Sequence, residues 1–360
     1  MRCLRPGGAR RRCQLLDGDT AAFCASLVDG LAQLESTLLR EEDDGDGGGG
    51  GGGAVSMRWC ADAMRLVKRM QRELLVMFKK ADVPVGSAVS YGGGCWFEHY
   101  MQETAALLDF CNAFKSAVSR LHRYCMVVDF AAQVGCAGAG AAAENGGGAG
   151  GWWLEEEPGG DDAGAIRHRL SDVRAAVSEA ERLGRKIMSS SSGGGGAGDD
   201  DAGGMVVVML VAKITMAVVS MFVLQALTSP IVPLAADVDD GHCTLGRAAA
   251  VPVPELQPWR ESLSVITDRF PRRPGVAEHE RVAMVVKSMM INTKMEGEEE
   301  TKNGKQEQED DHVELLRTRS GELREGVEMF DCVLDEVFDE VIKGRNEMLG
   351  IFRDKALTLG

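Results

Sequence analysis

The stretch that most constrains this chain is MVVVMLVAKITMAVVSMFVLQAL, Met205 to Leu227. Of its 23 residues only Lys213, Thr215, Ser220 and Gln225 are not apolar. A helix of that length can cross roughly 30 Å of hydrocarbon. Its Leu, Ile, Phe and Val residues favour insertion by roughly 4–7 kcal/mol in sum, and a central lysine opposes it by about 2.5–3.5 kcal/mol. Insertion therefore survives Lys213 on this count. The soluble reading survives too. Lys213 and Ser220 are seven apart and share one narrow face, so the helix could be the buried centre of a bundle with the lysine reaching water. Met205, Leu210, Lys213, Ile214, Val218, Phe222 and Leu227 mark this candidate membrane segment, and the two readings stay open on sequence.

The remaining helices decide what could surround it. Leu27, Leu31, Leu34 and Leu38 follow 4-3-4 spacing and lie on one helical face, with Asp19 or Thr20 as cap candidates. Ala63, Val67, Met70, Leu74 and Met77 form a second stripe behind the candidate cap Ser56, with Pro84 beyond it. The third helix is the longest of the N-terminal half. Tyr100, Thr104, Leu107, Cys111, Phe114, Val118, Leu121, Cys125 and Val128 keep 4-3 spacing, and its other faces are partly apolar, which predicts neighbours on more than one side. Ile166, Leu170, Val173, Val177 and Ala180 predict a fourth helix. Near the C-terminus, Leu323, Val327, Phe330, Leu334, Val337 and Val341 begin a heptad stripe that continues through Gly344, Met348 and Ile351. That stripe is a candidate interaction face, suited to a bundle seam or a coiled-coil strand. No stretch alternates with period two, so a sheet is not expected.

The expected fold is all-α: an elongated bundle of about six to seven helices with long Gly-rich disordered spacers and one strongly hydrophobic helix. Much of the chain's 45 glycines lies in runs, which bury no apolar area. The organisation reads as a basic tail over 1–18, a helical region over 19–135 interrupted by a spacer at 43–55, and a Gly/Ala-rich linker over 136–163. A helix follows over 164–190, then a Ser/Gly-rich linker over 191–204 and the hydrophobic helix over 205–228. A Pro-rich connection with short helices covers 229–292. A charged run expected to be disordered covers 293–311, and the heptad helix covers 312–354. Trp152 and Trp153, stranded in the first linker, suit either a segment pinned on the bundle or a docking peptide for a partner.

A net charge of −15 repels phosphate backbones, so nucleic acid is not an expected partner. Arg2, Arg5, Arg10, Arg11 and Arg12 are the local exception. They read as a disordered basic tail or as an anionic-membrane contact, with Cys3 or Cys13 acylated. The tail lacks the apolar stretch of a secretory signal. The ten cysteines form no CxxC, and several fall on apolar helical faces, as reduced intracellular thiols do. No P-loop, HExxH or GxSxG nucleophile elbow occurs, and the six histidines stand apart in sequence. No catalytic residue, cofactor or metal is expected. Helices with apolar stripes and no catalytic signature point to an interaction protein whose partner docks helix-in-groove.

The segment WFEHYMQETAALLDFCNAFKSAVSRLHRYCMVVDFAAQV, with its aromatic pair followed by LLDFCNAFKSAVSRL, resembles plant BYPASS-related proteins of the wider ROH-like family. VSMRWCADAMRLVKRMQREL is similar to that family's preceding helix, and Met205–Leu227 and the final helix match its element order. The resemblance implies a plant-specific helical protein with a developmental role and no established catalytic site. BYPASS proteins restrain production of a root-derived mobile signal that controls growth. ROH-like members are linked to an exocyst subunit, which would make that subunit a partner. The length and apolarity of Met205–Leu227 make a lipid bilayer the other expected neighbour, so the chain reads as a regulator acting through protein contacts at or near a membrane or, alternatively, as a soluble cytosolic adaptor of the secretory machinery. The long Gly/Ala spacers and the Arg-rich start depart from the family pattern.

Overall fold

The computed structural model describes residues 18–43, 55–80, 96–137, 200–228, 256–270, 277–294 and 302–358. Among these it is all helix: α1 Gly18–Asp43, α2 Met57–Lys80, α3 Trp96–Ala137, α4 Asp200–Leu227, α5 Gln257–Arg269, α6 Glu278–Lys294 and α7 Lys302–Thr358. The only strand-like feature among the described residues is one parallel bridge, Val55 to Ala277. The helix expected over 164–190, Trp152 and Trp153, and the basic tail up to residue 17 lie outside the described residues.

The 4-3 stripes close on one another as their spacing demands. Leu27, Leu31, Leu34 and Leu38 are all buried, and so is every named stripe position of α2 and α3. α2 starts where Ser56 permits: the Trp59 amide donates to Ser56 Oγ at 3.1 Å, satisfying one of the orphan donors of the first turn. Asp19 and Thr20 do not cap α1, which already begins at Gly18. Asp19 instead faces Lys80 across the bundle at 3.2 Å.

Side-chain pairs fix the directions. Asp19 with Lys80, Ser26 with Glu73, and Leu34 with Trp59 make α1 and α2 antiparallel. Lys68–Glu336, Arg72–Glu340 and Lys79–Glu347 make α2 and α7 parallel. These three pairs repeat every one or two turns along one seam. The hydrogen bonds from Lys68 and Arg72 hold the Glu336 and Glu340 carboxyls below their ordinary range. Arg345 with Met101, Lys115 with Asp331, and Asp129 with Ser320 make α3 antiparallel to α7. At about 1.5 Å per residue, the 57 residues of α7 extend roughly 85 Å and serve as the spine.

Two boundaries differ from the sequence expectation. α7 begins at Lys302, so most of the charged run expected to be disordered is helical. Lys, Gln and Glu propagate a helix well, and extending an existing helix avoids the cost of nucleation. α4 likewise begins at Asp200, inside the expected Ser/Gly-rich linker.

The start of α2 is held from a distance. Its Met57 amide donates to Glu278 Oε2 of α6 at 2.8 Å, beside the Val55–Ala277 bridge. α7 passes close by because residue 326 is glycine: a Cβ there would lie 2.6 Å from Met57 Cβ. His279, next to the capping glutamate, is buried with neither ring nitrogen hydrogen-bonded. Burial pushes its pKa down to about 4.

Candidate functional site

α4 is long and apolar enough to cross a membrane over Val207–Leu227, and in the fold 78 % of its most apolar stretch is buried against the other helices. Ile214, Val218, Phe222 and Leu227 are fully or almost fully buried, whereas Met205, Leu210 and Lys213 are half-buried. α1, α2 and α3 pack around it. Phe222 stacks on Phe270 at the end of α5 (4.3 Å between centroids), and Phe270 meets Trp59 of α2 at 5.5 Å. Burying a side chain such as Val, Ile or Phe is worth about 1.5–3 kcal/mol. The cohesion of this helix with its bundle is therefore large compared with any single polar contact.

Lys213 and Thr215 tie α4 into the fold. Lys213 Nζ lies 2.5 Å from Glu103 Oε1 of α3. Thr215 donates to the Val211 carbonyl at 2.8 Å and accepts the indole N–H of Trp259 at 2.9 Å. That second bond joins α4 to α5 through two buried groups. Gln71 of α2 reaches Met216 Sδ at 3.5 Å. Among the described residues, Ser220 alone has a buried hydroxyl with no hydrogen-bond partner.

Glu103 belongs to a polar layer that continues to the spine. Thr104 donates to the Tyr100 carbonyl at 2.7 Å. Arg345 of α7 donates to Thr104 Oγ1 at 2.7 Å and to the Met101 carbonyl at 2.6 Å. Burial pushes the Tyr100 hydroxyl up to about 12, with Arg345 opposing. Gly344 leaves room for that hydroxyl, which would sit 2.6 Å from a Cβ there. Between Tyr100, Glu103 and Thr104 of α3 and Met209, Ala212 and Met216 of α4 lies a cavity of about 10 Å³. It holds about one water molecule, far short of the several hundred Å³ of a typical small-molecule site.

The heptad stripe of α7 is placed differently from a free interaction face. Leu323, Val327, Phe330, Leu334, Val337 and Val341 are at most 1 % exposed and form the seam against α2 and α3. Phe114 meets Phe330 edge-on at 6.1 Å in that seam. The stripe thus serves the intramolecular bundle. Among the described residues no group of three or more His, Cys, Asp or Glu is placed to hold a metal. Cys24, Cys111 and Cys125 are buried thiols whose pKa values burial raises to about 11, 12 and 12.

Periodicity did not reveal Glu103, Trp259 or Arg345. The available signal was a charge or indole at the edge of an apolar stripe, which says that a partner is needed and not which one. No protein-family model, curated protein or solved structure matches this chain.

Proposed function

We propose that this chain is a non-enzymatic developmental regulator of the BYPASS-related, ROH-like kind. It works through protein contacts, with α4 kept inside its bundle. The regulator reading rests on the resemblance of residues 96–134, and what supports keeping α4 in its bundle is the Lys213–Glu103 pair within a helix packed on its neighbours. Lipid is about as apolar as a leucine side chain, so moving α4 into a bilayer gains little that the bundle does not already supply. It would also break the Glu103 pair and strip cover from the apolar faces of α1, α2 and α3. In this reading the regulator restrains a mobile growth signal by binding another protein. An exocyst subunit is the partner that the ROH-like resemblance suggests, and the chain then acts as a cytosolic adaptor of secretion.

The length and apolarity of Val207–Leu227 favour a second reading, a single-pass anchor. Alkaline extraction of membranes from cells expressing the full chain separates the two. Recovery in the soluble fraction is expected; retention in the pellet after extraction would establish the anchor and overturn the bundle reading. For the partner, purified exocyst subunits are tested one by one for direct binding. Failure of all of them would remove the secretory adaptor role.

A further inference from the structure

The outer flank of the α3–α7 pair carries apolar side chains that the bundle leaves partly exposed. On α7, Phe338, Ile342, Leu349 and Phe352 are 36–47 % exposed, unlike the seam residues between them. They recur at spacings of 4, 7 and 3, with Arg345 in the gap turned inward to α3. On α3, Phe97, Met101 and Leu108 are half-buried along the facing edge. Phe97 stacks on Phe352 at 4.9 Å. The antiparallel register set by that stack, by Arg345 with Met101 and by Lys115 with Asp331 brings Met101 and Leu108 alongside Ile342 and Phe338. The result is one apolar strip between two helices. From Phe338 to Phe352 it runs about 21 Å, four turns of helix at about 1.5 Å per residue.

Charge selects what can lie there. Lys115, at the Phe338 end, is shared by Asp331 and Asp335, and Asp335 remains 66 % exposed. The exposed Asp339 follows one turn on. The exposed cations on this stretch of α7 are Lys343 and Arg353, the latter at the far end. A chain of net charge −15 also repels a second copy of itself at such a site.

We propose that this strip docks one amphipathic helix of a protein partner, about four turns long, with apolar residues at i, i+4, i+7 and i+11 and Lys or Arg flanking its first half. The inference rests on the reading of the chain as a protein-contact regulator and names the surface that makes the contact. Apolar anchors supply the affinity, and the acids Asp335 and Asp339 favour a basic helix and reject an acidic one.

The test uses the full chain and three labelled synthetic peptides. One has a leucine stripe with lysine flanks, one has the same composition scrambled, and one has the stripe with glutamate flanks. Fluorescence anisotropy is expected to show the striped lysine peptide binding at least tenfold more tightly than either control. Ile342→Gln with Leu349→Gln should weaken it at least tenfold while circular dichroism stays native. Because both side chains are already partly exposed, Asp339→Lys serves as a milder variant that should weaken the lysine peptide and improve the glutamate one. Equal binding of the scrambled peptide, or unchanged binding by the variants, would overturn the proposal. So would dimerisation of the chain, or its capture by phosphatidylserine vesicles, that depends on Ile342 and Leu349. Alkaline extraction of the wild-type chain reads α4 alone, so the bundle reading can fail without this one failing.

Discussion

If α4 belongs to its bundle, Lys213 and Glu103 must be energetically coupled. The perturbation is a double-mutant cycle with Lys213→Met and Glu103→Gln. The pair lies at 2.5 Å, with the lysine side chain 32 % exposed and the glutamate 14 %. At an effective dielectric of about 20, unit charges about 4 Å apart attract by about 4 kcal/mol. Desolvation of both ions cancels much of that, and exposed pairs retain only about 0.2–1 kcal/mol. A half-buried pair should keep about 1–2 kcal/mol. Methionine preserves the packing of the lysine stem, so Lys213→Met chiefly strands a mostly buried carboxylate, at a cost of about 1–3 kcal/mol. The double variant should then be less damaged than the sum of the singles by about 1–2 kcal/mol. Urea unfolding of the wild type and the three variants, followed by circular dichroism, measures it. Additivity within about 0.3 kcal/mol would mean that the two residues do not meet, and the placement of α4 against α3 would be wrong.

Other outcomes follow from the same geometry. Gly326→Ala should cost about 1–3 kcal/mol by pushing α7 off Met57, whereas Gly321→Ala, with nothing within 4 Å, should gain about 0.5–1 kcal/mol in the same unfolding assay. His279 titrates at about 4 when folded, against 6.5 when unfolded, so the unfolded chain binds the proton first. Its contribution to stability is complete above pH 6.5 and is lost as pH falls toward 4, by roughly 3 kcal/mol in all. The adjacent Glu278, raised by burial, acts with the opposite sign. The difference between wild type and His279→Leu across that pH range, taken from chemical unfolding at each pH, isolates the histidine. Iodoacetamide should label the exposed Cys332 in the native chain while Cys24, Cys111 and Cys125 resist, because burial keeps them as thiols. Peptide mapping by mass spectrometry reads each site.

Periodicity by itself determined the helices and their inner faces. A 4-3 spacing leaves a helix one way to hide its apolar residues, and Leu31, Phe114, Leu334 and their stripe-mates are buried, with Ile351 at the end of the α7 stripe partly so. Chemistry at element ends was legible where it is local, as with Ser56, which caps within its own turn. It failed at Asp19, which finds Lys80 instead, and at the start of α7, where helix propensity outweighed a reading of charge as disorder. Sequence alone could not place Lys213 beside Glu103, which lies 110 positions away. Nor could it say whether the α7 stripe closes a seam within the chain or meets a partner strand, since both need the same spacing and only the packing against α2 and α3 chooses between them. Local spacing sets which residues share a face. The tertiary arrangement sets what each face meets, because contacts between distant segments depend on the packing of every helix at once.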